Sequence, residues 1–238
     1  MVLVVPCFNE ESRLRTDDLA ALDAAGIGLV LVDDGSTDGT RHALEEWASG
    51  RDRASVHALG HNVGKGEAVR SGLLAAVSRR PAWVGFIDAD FATPAPELLR
   101  LVDLAGRRDD LDAVIGARVA MLGRDVDRSA FRHYTGRVFA TFASVVLDLP
   151  VYDSQCGAKI LRCTDALARA IGEPFASRWG FDVELIGRLV RSGTPASRLW
   201  EEPLERWHDI GGSRRTVRAS IRSCLDLIRI RARLRSWG

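Results

Sequence analysis

Short apolar, β-branched runs alternate with helical patterns along the first half of the chain, and this rhythm limits the fold more than any single residue does. The runs are Val2–Val5, Leu29–Val32, Val56–Leu59, Trp83–Ile87 and Ala113–Ile115, and between them lie Leu19–Ala25, Thr40–Trp47, Glu67–Val77 and Glu97–Ala105. Strands that are apolar throughout are buried on both faces, and helices spaced between them supply the cover. The pattern therefore predicts a three-layer α/β fold with a mostly parallel central sheet. Ligands of such sheets bind beyond the carboxyl ends of the strands. The polar clusters fall there: Asn9-Glu10 after the first run, Asp33-Asp34-Gly35-Ser36 after the second and Asp88-Ala89-Asp90 after the fourth.

After Ala117 the rhythm changes. A loop rich in Gly and Arg leads into a helix expected over Ser129–Leu147. A second helix is expected over Asp182–Arg191, short strands at Ser197–Trp200 and Leu204–Trp207, and a last helix over Val217–Leu234. In that last helix Val217, Ile221, Cys224, Leu225 and Ile228 share one apolar stripe, with arginines around it. At 238 residues, with no linker or low-complexity stretch, the chain is long enough for a full core and is expected to be one domain over 1–238.

Charge is distributed unevenly. Residues 214–238 hold eight arginines against the acid Asp226, a surplus of seven, so with a net charge of +1 the rest of the chain carries −6. Such a basic end suits an anionic surface, and equally a chain that uses Arg for nearly every cation. Thirty-one arginines stand against two lysines, which singles out Lys65 and Lys159. No aromatic residues interleave with the basic end in the manner of a nucleic-acid site, and no nucleic-acid partner is expected. The four cysteines match neither a zinc knuckle nor a redox pair, the longest apolar stretch, Val138–Val151, is short for a bilayer, and no signal peptide is read at the start. These features predict a reduced, cytoplasmic protein.

Three motifs carry chemistry. Asp88-Ala89-Asp90, where a buried strand opens into a loop, can hold a hard divalent cation through oxygen ligands while the cation also binds a diphosphate; read alone, it is also an ordinary acidic turn. Val32-Asp33-Asp34-Gly35-Ser36-Thr37-Asp38-Gly39-Thr40 puts paired acids where they can accept hydrogen bonds from a base imide or a ribose hydroxyl, and Thr37 or Asp38 can cap the helix at Thr40. Asn62-Val63-Gly64-Lys65-Gly66 combines close backbone approach with a lysine at a helix start, suited to phosphate oxygens or to plain solvent exposure. Its spacing is not that of a Walker loop, and the G-x-G-x-x-G dinucleotide signature is absent.

Together these residues resemble the family 2 glycosyltransferases of GT-A fold, over Val2 to about Arg231. Val5-Pro6-Cys7-Phe8-Asn9-Glu10-Glu11 is similar to the family's opening motif, Val32–Thr40 to its paired-acid motif, and Asp88-Ala89-Asp90 to its metal-binding D-x-D. Asn62–Gly66, Asp153-Ser154-Gln155-Cys156-Gly157-Ala158-Lys159 and Arg178-Trp179-Gly180-Phe181-Asp182-Val183-Glu184-Leu185 resemble the dolichyl-phosphate glucosyltransferase branch. Departures are Cys7 and Phe8 for the usual Ala and Tyr, Ala158 for Phe, His208-Asp209 for a polar residue and Glu, and no membrane anchor in the sequence.

The resemblance implies an inverting, metal-dependent transfer of a hexose, most naturally glucose from UDP-glucose, onto a polyprenyl or dolichyl phosphate. It divides the chain into a nucleotide-sugar half (1–117), an acceptor-side half (118–213) and the basic helix (214–238). Donor-binding residues would be Pro6, Phe8, Asn9, Glu10, Asp33, Asp34, Lys65, Asp88, Ala89 and Asp90, with Mg²⁺ or Mn²⁺ bridging Asp90 and the diphosphate and Asp88 reaching the ribose or the metal shell. His208 would be a third metal ligand or a surface histidine. Arg118, Arg128 and Arg132 would grip the acceptor phosphate, and Gln155 and Trp179 would line the sugar pocket. Asp182 is the candidate catalytic base, for an acceptor that needs one; as the first polar residue of an expected helix it also reads as an N-cap. The basic helix would either lie on anionic lipid, as a peripheral contact on the inner face of the membrane, or pack on the sheet. Alternatives are transfer to a small soluble hydroxyl acceptor, a nucleotidyltransferase, and a silent nucleotide-binding scaffold.

Overall fold

A computed structural model describes residues 1–127, 130–208 and 217–237, with side chains for 1–126, 134–208 and 226–237. Its centre is a seven-stranded sheet built from β1 (Val2–Cys7), β2 (Gly28–Asp33), β3 (Ala54–Ala58), β4 (Trp83–Phe86), β5 (Ala113–Ala117), β7 (Lys159–Arg162) and β8 (Leu199–Pro203), in the order β3-β2-β1-β4-β7-β5-β8. All pairings are parallel except those of β7, which runs antiparallel to both β4 and β5. A two-stranded ribbon joins β6 (Asp125–Asp127) to β9 (Arg206–His208). The expected α/β fold is present, and the strands expected from the apolar runs are all found.

The alternation within the strands explains the three layers. Leu3, Val5, Leu29 and Leu31 point to one face, where they pack with α1 (Thr16–Ala24), α2 (Thr40–Ala48) and α4 (Ala95–Arg107) through Leu19, Leu22, Leu44, Leu98 and Leu101. Val2, Val4, Val30 and Val32 point to the other, where Val69 and Leu73 of α3 (Lys65–Val77), Leu167 of α6 (Asp165–Ala170) and Leu185 of α7 (Phe181–Arg191) cover them. Each such buried aliphatic side chain contributes about 1.5–3 kcal/mol. A third, smaller cluster, with Ala143, Val183, Leu227, Ile230 and Leu234, fastens α5 (Ala130–Leu147) and α8 (Val217–Arg235) to α7. α8 packs through Leu227, Ile230 and Leu234; of the stripe placed by spacing, Ile228 faces solvent, and the side chains of Val217, Ile221, Cys224 and Leu225 lie outside the described residues.

β6, β7, α6 and the start of α7 differ from the sequence reading. β7 and α6 were not expected, because Lys159-Ile160-Leu161-Arg162 is only four residues long and is charged at both ends. Lys159, Ile160 and Leu161 are buried between β4 and β5, and Arg162 marks where the strand leaves the core. The expected helix at Asp182 begins one residue earlier and is N-capped by Gly180. The N-cap reading of Asp182 is therefore wrong: the residue lies inside the first turn, where its side chain is free to point into the protein.

Candidate active site

The carboxyl ends of β1, β2 and β4 meet the start of α3 and the start of α7 in one open cleft. Asn9, with φ 54°, and Phe91, with φ 49°, adopt left-handed backbone at the ends of β1 and β4, a cost that folded structure must offset. The Phe91 turn closes through its N–H onto the Asp88 carbonyl at 3.0 Å, and the buried Phe91 ring anchors it. The turn leaves Asp88 and Asp90 at the cleft while the methyl of Ala89 is buried in the core. Ala89 can therefore offer a ligand only its backbone.

The first two loops are tied together before any ligand arrives. Asn9 accepts from the Thr37 amide at 2.9 Å and its own amide donates to the Ser36 hydroxyl at 3.1 Å, while the Glu10 amide donates to Thr40 at 2.7 Å. Asp33 accepts from the Ser36 amide at 3.1 Å. Asp34 departs from the expected contact with a base or ribose: its two oxygens accept from the amides of Val63 at 2.8 Å and Gly64 at 3.0 Å. Its work is to hold the loop that carries Lys65. Gly64, with φ 100°, turns that loop into α3, and a Cβ there would meet the Arg178 side chain. Pro6 and Phe8 flank these loops, and Phe8 is 41% exposed.

Lys65 Nζ lies 2.5 Å from Asp88. Burial alone would raise the Asp88 carboxyl, but Lys65, helped by Lys159 and Arg118, outweighs it and holds the group below its ordinary value. Burial pushes Asp90 up, and the Asp88 charge adds to that push. Glu10 is also raised, by burial first and in part by Asp90, against the pull of Arg13. Its Oε2 is buried without a hydrogen-bond partner among the described residues. Asp90 keeps one oxygen on the Ala92 amide at 3.0 Å. Asp90 thus has no ion-pair partner among the described residues and Glu10 pairs through one oxygen only, with Arg13 at 2.9 Å, whereas Asp88 is neutralised by Lys65. Such hard oxygen donors fit Mg²⁺ or Mn²⁺, with the unpaired Asp90 the better protein ligand. Among the described residues no three His, Cys, Asp or Glu side chains are gathered to enclose a metal by themselves. Such a site would take its remaining ligands from a diphosphate or water.

Sequence reading did not assign roles to Gly157 and Lys159. A Cβ at Gly157 would lie 2.3–2.5 Å from the Asp88 carboxylate, so the glycine makes room for that side chain. Lys159 is fully buried, donating at 2.6 Å to the Cys156 carbonyl and at 2.6 Å to Asp182. The scarcity of lysine was the available signal. Asp182 thus reaches the cleft's inner wall but is engaged in a buried ion pair, and burial pushes its carboxyl up even so.

The acceptor side is less uniform. Arg118 is paired with Asp153, through Nε at 2.7 Å and Nη2 at 2.8 Å, and lies over the Trp207 ring, so one edge and one face of its guanidinium are already occupied. Arg128 lies outside the described residues, as does the side chain of Arg132. Gln155 and Trp179 meet at the rim, where Gln155 Nε2 is 3.5 Å from the Trp179 carbonyl and the Trp179 ring is exposed. The loop before α7 is fixed by Ser177, which accepts from the Gly180 amide and donates to Asp226 of α8 at 2.8 Å, and by Arg178, which reaches Asn62. His208 donates its backbone N–H to the Ala92 carbonyl at 3.0 Å, so β9 runs beside the Asp90 turn. Its imidazole, however, lies 3.5 Å from Asp125 and half exposed, and it is not gathered with the acids.

The model of glycosyl transferase family 2 matches residues 2–170, most of the chain. This chain belongs to that family. Among similar proteins, the dolichyl-phosphate beta-glucosyltransferase of Drosophila melanogaster is 33% identical over 232 residues, covering 90% of this chain and 68% of that one. The protein of the same name from Saccharomyces cerevisiae is 28% identical over 252 residues, covering 96% and 73%. Among solved structures, the mannosyltransferase PcManGT from Pyrobaculum calidifontis, in complex with GDP-Man and Mn²⁺, superposes on all of this chain with a TM-score of 0.64 at 18% identity. S. aureus TarS 1-349 in complex with UDP gives 0.59 at 20% identity over 98% of this chain. This family 2 chain spans 64% of each of those two solved chains. The fold is GT-A, and the protein is a glycosyltransferase.

Proposed function

We propose that this family 2 glycosyltransferase moves glucose from UDP-glucose onto a polyprenyl phosphate, inverting the anomeric centre. One observation carries the choice of acceptor. Asp182, the acid that the sequence offers as a general base, has its carboxylate held by Lys159 in a buried pair at 2.6 Å. An acceptor hydroxyl would need a base, whereas a phosphate monoester, with a second pKa of about 6, is already largely dianionic at neutral pH. The names of the similar dolichyl-phosphate beta-glucosyltransferases support glucose and a lipid phosphate.

In this reading Asn9, Asp33 and the exposed Phe8 ring receive the nucleoside, and Asp90, with Glu10 behind it, holds Mg²⁺ or Mn²⁺. A bound cation supplies positive charge for the departing diphosphate. Lys65 adds charge on the same side, and Asp88, paired with Lys65, fixes where that ammonium points. A phosphate oxygen of the acceptor attacks the sugar's C1 from the face opposite the diphosphate. The new C1–O bond forms as the bond to UDP breaks, with the electron pair leaving on the terminal phosphate oxygen of UDP. A polyprenyl acceptor sits in a bilayer, so the enzyme works as a peripheral protein on its cytoplasmic side.

The test is a panel of UDP- and GDP-sugars with Mn²⁺, scored by nucleotide release with and without a short polyprenyl phosphate. UDP release from UDP-glucose that depends on the lipid phosphate is the expected result. Release stimulated equally by a soluble hydroxyl acceptor, or pyrophosphate formed from UTP and a sugar phosphate, would replace this reading.

A further inference from the structure

Helix α5 buries Ala143 and, in part, Phe139, Val146 and Leu147 against α7 and α8, yet its opposite side is also apolar. Tyr134, Val138, Phe142 and Val145 are 70%, 56%, 54% and 61% exposed. Their spacing places them within one arc of the helix, a stripe about 16 Å long. Soluble helices put polar residues on such a face, and a stripe of this size calls for an occupant.

The last residue of the stripe says which occupant. Val145 forms one wall of a cavity whose other walls are Val146, Asp148, Leu234 and three arginines, Arg191, Arg231 and Arg235. The three arginines come from α7 and α8 and converge where the stripe ends. None of them has an ion-pair partner among the described residues, and Asp148 is the one acid lining the cavity. On α8, Ile228, which is 66% exposed, stands three and seven residues before Arg231 and Arg235, so the same side of that helix also offers an apolar residue in line with cations. Apolar side chains bordered by converging guanidiniums complement a surface that is apolar within and anionic at its head groups. A second copy of this chain paired through the same face would bring these arginines against their own images.

We propose that this face, formed by the outer stripe of α5 and the Arg191–Arg231–Arg235 cluster, docks the protein on an anionic lipid bilayer. The face is joined to the cleft: Arg137 of α5 donates to the Tyr152 carbonyl at 3.2 Å, and the neighbouring Asp153 holds Arg118. Docking through α5 would therefore set the acceptor side of the cleft toward the membrane. The docking itself does not depend on which acceptor the enzyme uses.

The experiment is flotation of the full chain with vesicles of phosphatidylcholine alone or of phosphatidylcholine with phosphatidylglycerol, without donor or acceptor. Binding to the anionic vesicles only, weakened by added salt, is expected. The double variants Val138→Asp/Phe142→Asp and Arg231→Glu/Arg235→Glu each remove one half of the surface, and each should weaken binding at least about tenfold with the melting temperature little changed. Absence of wild-type binding to the anionic vesicles would overturn the proposal, as would undiminished binding in both variants. So would a wild-type dimer in sedimentation that Val138→Asp/Phe142→Asp converts to monomer, since the face would then belong to a second copy.

Discussion

Asp182 shows how a single contact changes the meaning of a residue. Its sequence position offers a base, but Lys159 occupies its carboxylate in the interior. Asp182→Asn leaves a buried ammonium without its countercharge, which costs about 3–5 kcal/mol of stability. Lys159→Met combined with Asp182→Leu should recover most of that loss in urea unfolding. Assayed below its lowered melting temperature, Asp182→Asn should keep turnover with a phosphate acceptor within about tenfold of wild type. A fall of about 10²–10⁴ would instead mark a general base. The two acids proposed to hold the cation give a pH prediction. Glu10 and Asp90 are held above their ordinary values, so the folded state keeps protons that the unfolded chain has released. Their contribution to metal-free stability is present below the ordinary carboxylate range and is lost as pH rises through the raised values. Asp88 behaves oppositely: held low by Lys65, it contributes above its ordinary value and loses that contribution as pH falls through the lowered one. Cations bind only deprotonated carboxylates, so the rise in melting temperature produced by Mn²⁺ should grow as pH leaves the acid range. Asp90→Asn should remove most of that rise without lowering the metal-free melting temperature. A Mn²⁺ effect independent of pH would contradict the assignment.

At the scale of elements, α3 is the part on which the site most depends, because its first residue is Lys65 and its body lies across β1 and β2. Gly72 allows that close approach: a Cβ there would lie 2.3 Å from Val4 Cγ1 and 2.7 Å from Val32 Cγ2. Gly72→Ala should therefore destabilise by about 1–3 kcal/mol in thermal or chemical unfolding, although alanine is the better helix former in isolation. Equal or greater stability would mean that the helix can shift freely. The long apolar strands and the amphipathic α4 were legible in the sequence because burial on both sheet faces and on one helix face leaves periodic signals. β7 was not, because four residues with charges at each end carry no period, and its place between β4 and β5 is set by partners that are distant in sequence. The early start of α7 was equally hidden, since Gly180 caps it through backbone conformation and not through a side chain.

For the whole molecule, the halves of the cleft come from segments far apart in the chain, and binding of donor and cation should stabilise them together. UDP with Mn²⁺ should raise the melting temperature by more than the sum of either alone, as linkage requires when each ligand completes the other's site. Purely additive shifts would mean that they bind apart. By itself, the sequence determined the α/β class, the parallel core of the sheet and the ordered series of acids at its carboxyl edge. Those properties follow from local periodicity and from residues whose chemistry is fixed by type. Only the tertiary structure decided which acids are free to act. Asp34 is spent on the amides of the Lys65 loop, Asp88 on Lys65, Asp182 on Lys159 and Asp153 on Arg118, while Asp90 has no ion-pair partner among the described residues and Glu10 keeps one oxygen unpartnered. A side chain's type states which bonds it can make; which of them it has already made depends on neighbours that only folding brings within reach.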